Sequence, residues 1–551
     1  MNFASRYTIV YNGELYNYIE LRNNLKQKGI QFSTDSDTEV IIASYATYGK
    51  DCIKSFDGAF AFAILDDQEQ LLFAARDRFG EKPFFYSLSK DDLVFSSELK
   101  SLWKMGVKKE VNEKLLYNFL TIGYTSNPYL PGETFFEEIY KLPAACSLIY
   151  SLPKQQLSIE KYWMPFIEVD NQITEQQAIE KFDYLFTASI QKRLRSDVAV
   201  GTSLSGGLDS STIVAYCDKQ ESSQYTHRCF TAAFKGFEKD ESYYATIVSK
   251  KFNLNHTIVE TGPQDIVALM QQVMQYQEEP IDSASALIQF KVYEAAKKNG
   301  VTVLLDGQGA DEVLGGYHKY YKWYWQQLFR QNRSLYAKEK KAAKSIGINQ
   351  NFGVKEKLAS LLPHLAFALQ QGKRKMNAAN LQGLNDDFVK HNKNHFYYSL
   401  PAESNLNSAL FYNTFSYGLE ELLRLADRNS MANSVEVRLP FLSHELVEFL
   451  FTLPPHLKIN NGWTKWLLRK TAEPLLPKEI VWRKDKIGFE PPQKLWMENK
   501  NVQEAILSGK KLLVDKGILN TSVLTKKIQP HDAHAADNRD WKYWSASFLY
   551  A

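Results

Sequence analysis

Cysteine is scarce in this sequence. Among 551 residues only Cys52, Cys146, Cys217 and Cys229 are cysteines, and no two form a CxxC pair. A disulfide framework and a cysteine-rich zinc site are thereby excluded, and a reducing, cytoplasmic compartment is expected. Long apolar runs are missing too. The longest clear one, Gly58 to Leu65, falls well short of the ~18 residues of a membrane-spanning helix, so no membrane is expected among the partners. The opening MNFASRYTIVYNGE has neither the basic segment nor the apolar stretch of a secretory signal, and reads as a strand entered in mid-course. Charge of one sign is not in excess either. Lys and Arg number 66 against 63 Asp and Glu, a formal net charge of +3, so neither a nucleic-acid nor an anionic-membrane partner is expected, although an even total is compatible with a local patch. With 44% hydrophobic and 23% charged residues, the composition excludes disorder, collagen and coiled coil as the main state.

What is present is length, enough for two or three domains. Residues 1–150 read as β-rich. RYTIVYNGELYNY has β-branched and aromatic residues around Asn12-Gly13, a turn signal. ELRNNLKQKG and SDTEVIIASYATYG have helical spacing with cap residues, whereas GAFAFAILDDQEQLLFAARDRFG and FFYSLSKDDLVFSSE read as hairpins. Helices followed by hairpins suggest sheets with helices outside. Residues 151–176, polar and with scattered prolines, read as a linker. From 177 to 551 the pattern changes. An amphipathic helix, TEQQAIEKFDYLFTASIQKRL, precedes strand-like and helix-like segments in alternation up to VTVLLDG, which predicts a doubly wound parallel sheet. Beyond Tyr317 the chain reads mostly as helix, and the Lys-rich stretch Ala337 to Lys344 reads as a solvated helix face.

The sharpest local signal is Ser205-Gly206-Gly207-Leu208-Asp209-Ser210-Ser211, between the apolar strand Val198 to Leu204 and a helix. Glycine lets backbone approach a ligand closely, and serine hydroxyls with helix-start N–H groups hold phosphate oxygens. Asp209 would repel those oxygens unless Mg²⁺ bridges them. No GxxxxGK[ST] occurs, so the loop is not of the kinase or GTPase type.

SLSGGLDSS resembles the pyrophosphate loop of the ATP pyrophosphatases in the version found in the glutamine-hydrolysing asparagine synthetase family. VTVLLDGQGADEVLGGY, LADRNSMANSVEVRLPFLSHELVEF and WRKDKIGFEPP resemble that family's second nucleotide segment, substrate-side signature and lysine loop. RYTIVYNGELYNY, SDTEV and ARDRFGEKPFFY resemble its glutaminase domain. The resemblance implies an incomplete N-terminal Ntn-hydrolase-like αββα sandwich over 1–150, followed by an ATP-pyrophosphatase domain with a helical C-terminal part. It also implies conversion of aspartate, ATP and an amide or ammonia nitrogen into asparagine, AMP and pyrophosphate. ATP and Mg²⁺ are required, and a homodimer is an assembly found in relatives. Ser205 to Ser211 would hold pyrophosphate, with Asp209 and Asp311 as the metal carboxylates. Leu204, Ala232, Asp306 and Gly307 match adenosine-contacting positions, and Lys486 would neutralise phosphate charge. Asn12, Gly13, Glu14 and Asp37 match glutamine-binding positions.

Two departures from the family pattern carry consequences. Many members have Glu at the position of Gln308, as a base for the attacking ammonia. Glutamine cannot be that base, although its amide oxygen can orient ammonia; Glu278, Glu279 or Glu312 remain as bases. In the substrate-side signature, Arg428, Ser430, Asn433, Glu436 and Arg438 read either as acceptor ligands or, for Glu436 and Arg438, as a structural ion pair. The second departure concerns the nucleophile. Members place a cysteine directly after the initiator Met, whereas residue 2 here is Asn2 and the first cysteine is Cys52. Met1 matches an internal Met of the family, so the family's first strands are expected to precede it. The expectation is use of free ammonia and no glutamine hydrolysis. Three other readings are an amidotransferase for another carboxylate in polysaccharide or secondary-metabolite assembly, a non-catalytic remnant, and a tRNA thiolase. The last needs further cysteines or a basic RNA module, which the sequence lacks.

Overall fold

The computed structural model describes all residues except 91, 221–224 and 485–487. The chain divides into two compact units. One holds Met1–Glu110, Tyr129–Phe166 and Leu442–Glu448, and the other holds Val111–Pro128, Ile167–Phe441 and Phe449–Ala551.

The first unit is built on an antiparallel six-stranded sheet. Its strands are β1 (Asn2–Phe3), β2 (Tyr7–Leu15), β3 (Gly58–Asp66) and β4 (Leu71–Arg76), followed by β8 (Cys146–Ser151) and β9 (Gln156–Lys161), in the order β1-β2-β3-β4-β8-β9. A second sheet has the order β6-β5-β7, from β5 (Phe85–Leu88), β6 (Leu93–Ser96) and β7 (Tyr140–Lys141). Alternation along the strands sends Ile9, Phe60, Phe62, Ile64 and Phe73 to a core shared with the helices Tyr18–Gln27 and Asp37–Tyr48. The other face contributes Ala61, Ala63, Ala74 and Leu148 to a second core with Phe84, Tyr86 and Leu142. The small sheet carries the helix Leu99–Lys104, which completes the αββα order expected. Two local readings are corrected. Asn12-Gly13 is no hairpin turn. β2 runs unbroken through it, with Asn12 opposite Ala61 and Gly13 opposite Phe60, because a Cβ on Gly13 would lie 2.1 Å from the Ala59 oxygen. Within the stretch read as linker, Gln156–Lys161 is an edge strand paired with β8.

The second unit contains the expected parallel sheet, in the order β12-β11-β10-β13-β14. The strands are β10 (Val200–Ser203), β11 (Tyr225–Ala233), β12 (Asn255–Glu260), β13 (Val303–Leu305) and β14 (Glu436–Arg438). Strand order jumps outward on both sides of β10, so the loops after β10 and β13 open at the topological switch point where α/β sheets bind ligands. Helices cover the sheet, and a large core joins Ile266–Gln277, Ser285–Lys298 and Lys500–Asp515 through Met270, Leu287 and Ile506. Residues 111–128, inside the stretch read as the first domain, group with this unit because the Asn118 amide bonds the His395 carbonyl and the Tyr397 N–H. Among the described residues no helix is long and apolar enough to cross a membrane.

Candidate active site

The loop after β10 is shaped by its glycines. Gly206 takes φ +75°, and a Cβ on it would lie 2.3 Å from the Ala245 nitrogen, so no other residue fits. Gly207 begins the helix Leu208–Lys219 without a side-chain cap. The first-turn N–H groups therefore stay available to an anion, with the helix dipole behind them. The Ser205 and Ser210 hydroxyls lie 3.2 Å apart, and the Gly207 N–H donates to Ser205 Oγ. Ser211 Oγ is buried and has no hydrogen-bond partner among the described residues.

The loop after β13 closes on the first. A Cβ on Gly307 would come within 3.1 Å of Asp209 Cβ, so glycine lets the two loops touch. The Asp306 N–H donates to the Arg438 carbonyl, and Tyr293 OH donates to Asp306 Oδ2. Enclosure in the wall raises the Asp306 carboxyl above its ordinary range, outweighing the hydrogen bonds it accepts. Gly309, at φ +88°, starts the short helix Ala310–Leu314 that carries Asp311 and Glu312.

Asp209 and Asp311, both anticipated as metal carboxylates, converge on a third residue. The Lys465 ammonium lies 2.6 and 2.5 Å from the two Asp209 oxygens and 2.7 Å from Asp311 Oδ1. Burial alone would lower the Lys465 pKa, but the two carboxylates outweigh it and hold the amine protonated. Space for this triad exists only because residue 316 is glycine. A Cβ there would sit 1.7 Å from Asp311 Oδ1 and 2.2 Å from Lys465 Cε. Two carboxylates meeting at one cation match the hard-oxygen set that Mg²⁺ takes when phosphate oxygens supply its other ligands. Lys465 itself ends a tight hairpin, Ile459–Asn460 paired with Trp463–Thr464. The buried Glu339 carboxylate accepts the N–H groups of Asn461 and Gly462 at its tip, each at 3.0 Å, and Tyr321 OH donates to the Gly462 carbonyl.

These groups border a cavity of about 650 Å³ that also takes in Leu204, Phe230, Ala232, Phe234 and Gln308. Gln308 Oε1 is buried without a partner among the described residues. Glu312 borders the same space and is itself almost fully buried. Burial first, then the Asp311 charge, push its carboxyl above the ordinary range, against the hydrogen bond from Tyr317 OH at 2.7 Å. Of the three bases considered, Glu312 alone lines the cavity. Glu278 and Glu279 face Arg428 and Arg424 at 3.4 and 3.8 Å. A further wall is formed by Asp282, Glu421 and His534. On it, Lys239 pairs with Glu490 at 2.8 Å and Arg483 with Glu241 at 2.8 Å.

The positions anticipated from sequence meet different outcomes. Leu204, Ser205, Gly207, Asp209, Ser210, Ala232, Asp306, Gly307, Gln308 and Asp311 all line the cavity. Gly206 and Ser211 shape the loop behind it. Lys486 lies outside the described residues. Arg428, Ser430, Asn433, Glu436 and Arg438 do not line the cavity. Arg438 bonds Glu436 at 2.7 Å and the Arg193 carbonyl at 3.0 Å, so this pair is structural. Lys465, Glu421 and Asp282 were missed, since an isolated lysine or acid has no local signature. In the first unit, Asn12, Gly13 and Glu14 are consecutive on β2, and Asp37 is held against that strand. Its Oδ2 accepts from Tyr11 OH at 2.8 Å and the Leu15 N–H at 3.0 Å.

Comparison with known proteins agrees with this geometry. The asparagine synthase family model matches residues 181–549, and a glutamine amidotransferase domain model matches residues 1–163. Asparagine synthetase [glutamine-hydrolyzing] 1 of Bacillus subtilis is 29% identical over 98% of this chain and 84% of its own length. Asparagine synthetase [glutamine-hydrolyzing] 3 of the same organism is 31% identical, over 87% of this chain and 74% of its own. A putative asparagine synthetase 2 of Methanocaldococcus jannaschii is 36% identical over 56% of this chain and 58% of its own.

Proposed function

The chain belongs to the asparagine synthase family, ligases that form a carbon–nitrogen bond by ATP-dependent amidation, and on that premise we propose that it makes asparagine from aspartate and ammonia through a β-aspartyl adenylate. The observation that carries the reading is the meeting of Asp209, Asp311 and Lys465 at the mouth of two glycine loops. Asp209 and Asp311 would hold Mg²⁺, which would offset charge on the departing pyrophosphate. Ser205, Ser210 and the first-turn N–H groups of the 208–219 helix hold the pyrophosphate oxygens. Lys465 neutralises charge that grows as the α-phosphate bond to the leaving group breaks, a role the family resemblance also gives to Lys486. Leu204, Ala232, Asp306 and Gly307 border the adenosine. Gln308 Oε1 accepts an N–H of ammonia, and Glu312, its carboxyl tuned upward by enclosure, takes the proton lost as nitrogen attacks the acyl carbon.

The nitrogen source we infer is ammonia, since Cys52, Cys146, Cys217 and Cys229 are all buried. Burial raises the Cys52 and Cys217 thiols far above their ordinary value and the Cys229 thiol to about 12, which keeps these three protonated. Asn12, Gly13, Glu14 and Asp37 would bind glutamine, and the enzyme works in the reducing cytoplasm. One observation favours a second reading, another carboxylate as acceptor. Lys239 and Arg483, cations lining the cavity, are each paired with an acid, so among the described residues these two are already engaged rather than awaiting the α-carboxylate of aspartate.

The test is pyrophosphate release from Mg²⁺-ATP and aspartate, with ammonium chloride or glutamine. Release with ammonium and none with glutamine is expected. Release that does not depend on aspartate but follows another carboxylate would establish the second reading, and glutamine-driven release would refute the assignment of the nitrogen source.

A further inference from the structure

We propose that the consecutive helices Val354–Leu361 and Pro363–Ala379 seat the protein on an anionic lipid surface. The second helix has a clear inward face. Phe367 stacks on Tyr398 with ring planes 16° apart. Gln370 Nε2 donates to Tyr398 OH at 2.6 Å, the Arg374 guanidinium lies 5.0 Å from the same ring, and Ala378 is buried. At about 100° per residue, Leu365, Leu369 and Met376 fall within about 40° of one another, on the side opposite Phe367 and Arg374. The first helix repeats the design. Its inward side is anchored by Arg330, whose Nη1 donates to the Ser360 carbonyl at 3.1 Å, and Val354, Leu358 and Leu361 form its outward stripe. All six stripe residues are 55–72% exposed. A helix packed on one face ordinarily presents polar residues on the other. Here the solvent side carries apolar residues, which within each helix recur on one side rather than scattered around it.

The charges select the partner. Lys355 and Lys357 flank the first stripe in sequence, and Lys373 and Lys375 flank the second at roughly 80° to either side. From Lys357 to Asn385 the chain has no acidic residue, in a protein whose charges otherwise balance at 66 against 63. An apolar stripe edged by lysine on an interfacial helix suits acyl chains below a layer of anionic headgroups. Pairing with a second copy would instead set lysine against lysine across a twofold axis. The inference departs from the expectation of no membrane partner. That expectation rested on the even overall charge and on the missing spans, but a local patch of lysine is compatible with an even total, and a stripe broken by polar residues every turn leaves no long apolar run.

Flotation of the full chain with vesicles tests the proposal, using phosphatidylcholine alone and phosphatidylcholine with about one third phosphatidylglycerol. Binding is expected with the anionic vesicles only, weakening as salt rises. L365E/L369E should abolish it. These side chains are more than half exposed, so the fold, followed by circular dichroism, should be kept. K373Q/K375Q should reduce binding about fivefold per charge removed. Two outcomes overturn the proposal. One is a chain that stays free of anionic vesicles even at low salt. The other is vesicle-independent dimerisation abolished by L365E/L369E, which would make the stripe a contact between copies.

Discussion

Lys458 has its whole side chain out of water, with Nζ donating to Asn407 Oδ1 at 2.6 Å and lying 5.4 Å from the Phe451 ring centre. Burial lowers its pKa from 10.5 to about 7, because desolvation disfavours the ammonium and no carboxylate offsets it. The sign of the linkage follows. Between pH 7 and 10.5 the unfolded chain binds a proton the folded one lacks, so Lys458 makes stability rise with pH over that window, by at most about 1.4 kcal/mol per unit. Below pH 7 the folded protein carries the full cost of a buried charge. Lys458→Met is therefore expected to stabilise the protein at pH 6 by about 2–4 kcal/mol, once the unmet Asn407 acceptor is subtracted, and to remove that part of the pH slope. Urea unfolding of both proteins at pH 6 and pH 9 measures it. A stability difference that stays constant between the two pH values would show that Lys458 titrates normally.

The same lysine opens the hairpin that ends at Lys465, and at this scale the site depends on an element distant from it in sequence. Glu339 lies on the helix Arg333–Ser345, whose outer lysines form the solvated face expected while its inner side docks the hairpin. Gly462 fits against this helix only as glycine, since a Cβ would come within 2.4 Å of the Ala343 nitrogen. Glu339 thus fixes the tip, the two-strand pairing transmits that placement, and Lys465 arrives between Asp209 and Asp311. Glu339→Ala leaves the buried Gly462 N–H and the part-buried Asn461 N–H unmet and is expected to cost about 2–4 kcal/mol of stability. Loosened placement of Lys465 should also raise the KM for Mg²⁺-ATP about tenfold, with a smaller effect on the KM for aspartate. Steady-state kinetics with each substrate varied separates the two. Equal changes in both KM values would mean a general loss of fold rather than a displaced lysine.

Across the whole molecule, what could be read from sequence was what lies close together in the chain. The first glycine loop sits between a strand and a helix, so contiguous residues disclose it with Asp209, whereas Asp306, Gln308 and Asp311 came from the resemblance of the second loop's segment to a family signature. Lys465 is 256 positions from Asp209, and only tertiary packing brings them together. β14 has three residues, too few for any periodicity, so the fifth strand of the parallel sheet was hidden inside a signature read for chemistry. Asn12-Gly13 misled because the residue pair that suits a tight turn equally suits a strand pressed against a neighbouring carbonyl. A nucleotide site assembled from distant segments makes a prediction that a single loop does not. Mg²⁺-ATP should slow amide hydrogen exchange together in 203–212, 306–316 and the hairpin 458–466. Ligand at a hundred times its dissociation constant adds about 2.7 kcal/mol to the unit that binds it, so exchange limited by global opening of that unit should slow about a hundredfold. The described residues of 1–110, grouped with the other unit, are not among those lining the cavity and should exchange as before. Protection confined to the 203–212 loop would mean that the hairpin and its lysine play no part in holding the nucleotide. Protection extending through 1–110 would mean that the first unit helps to form the site.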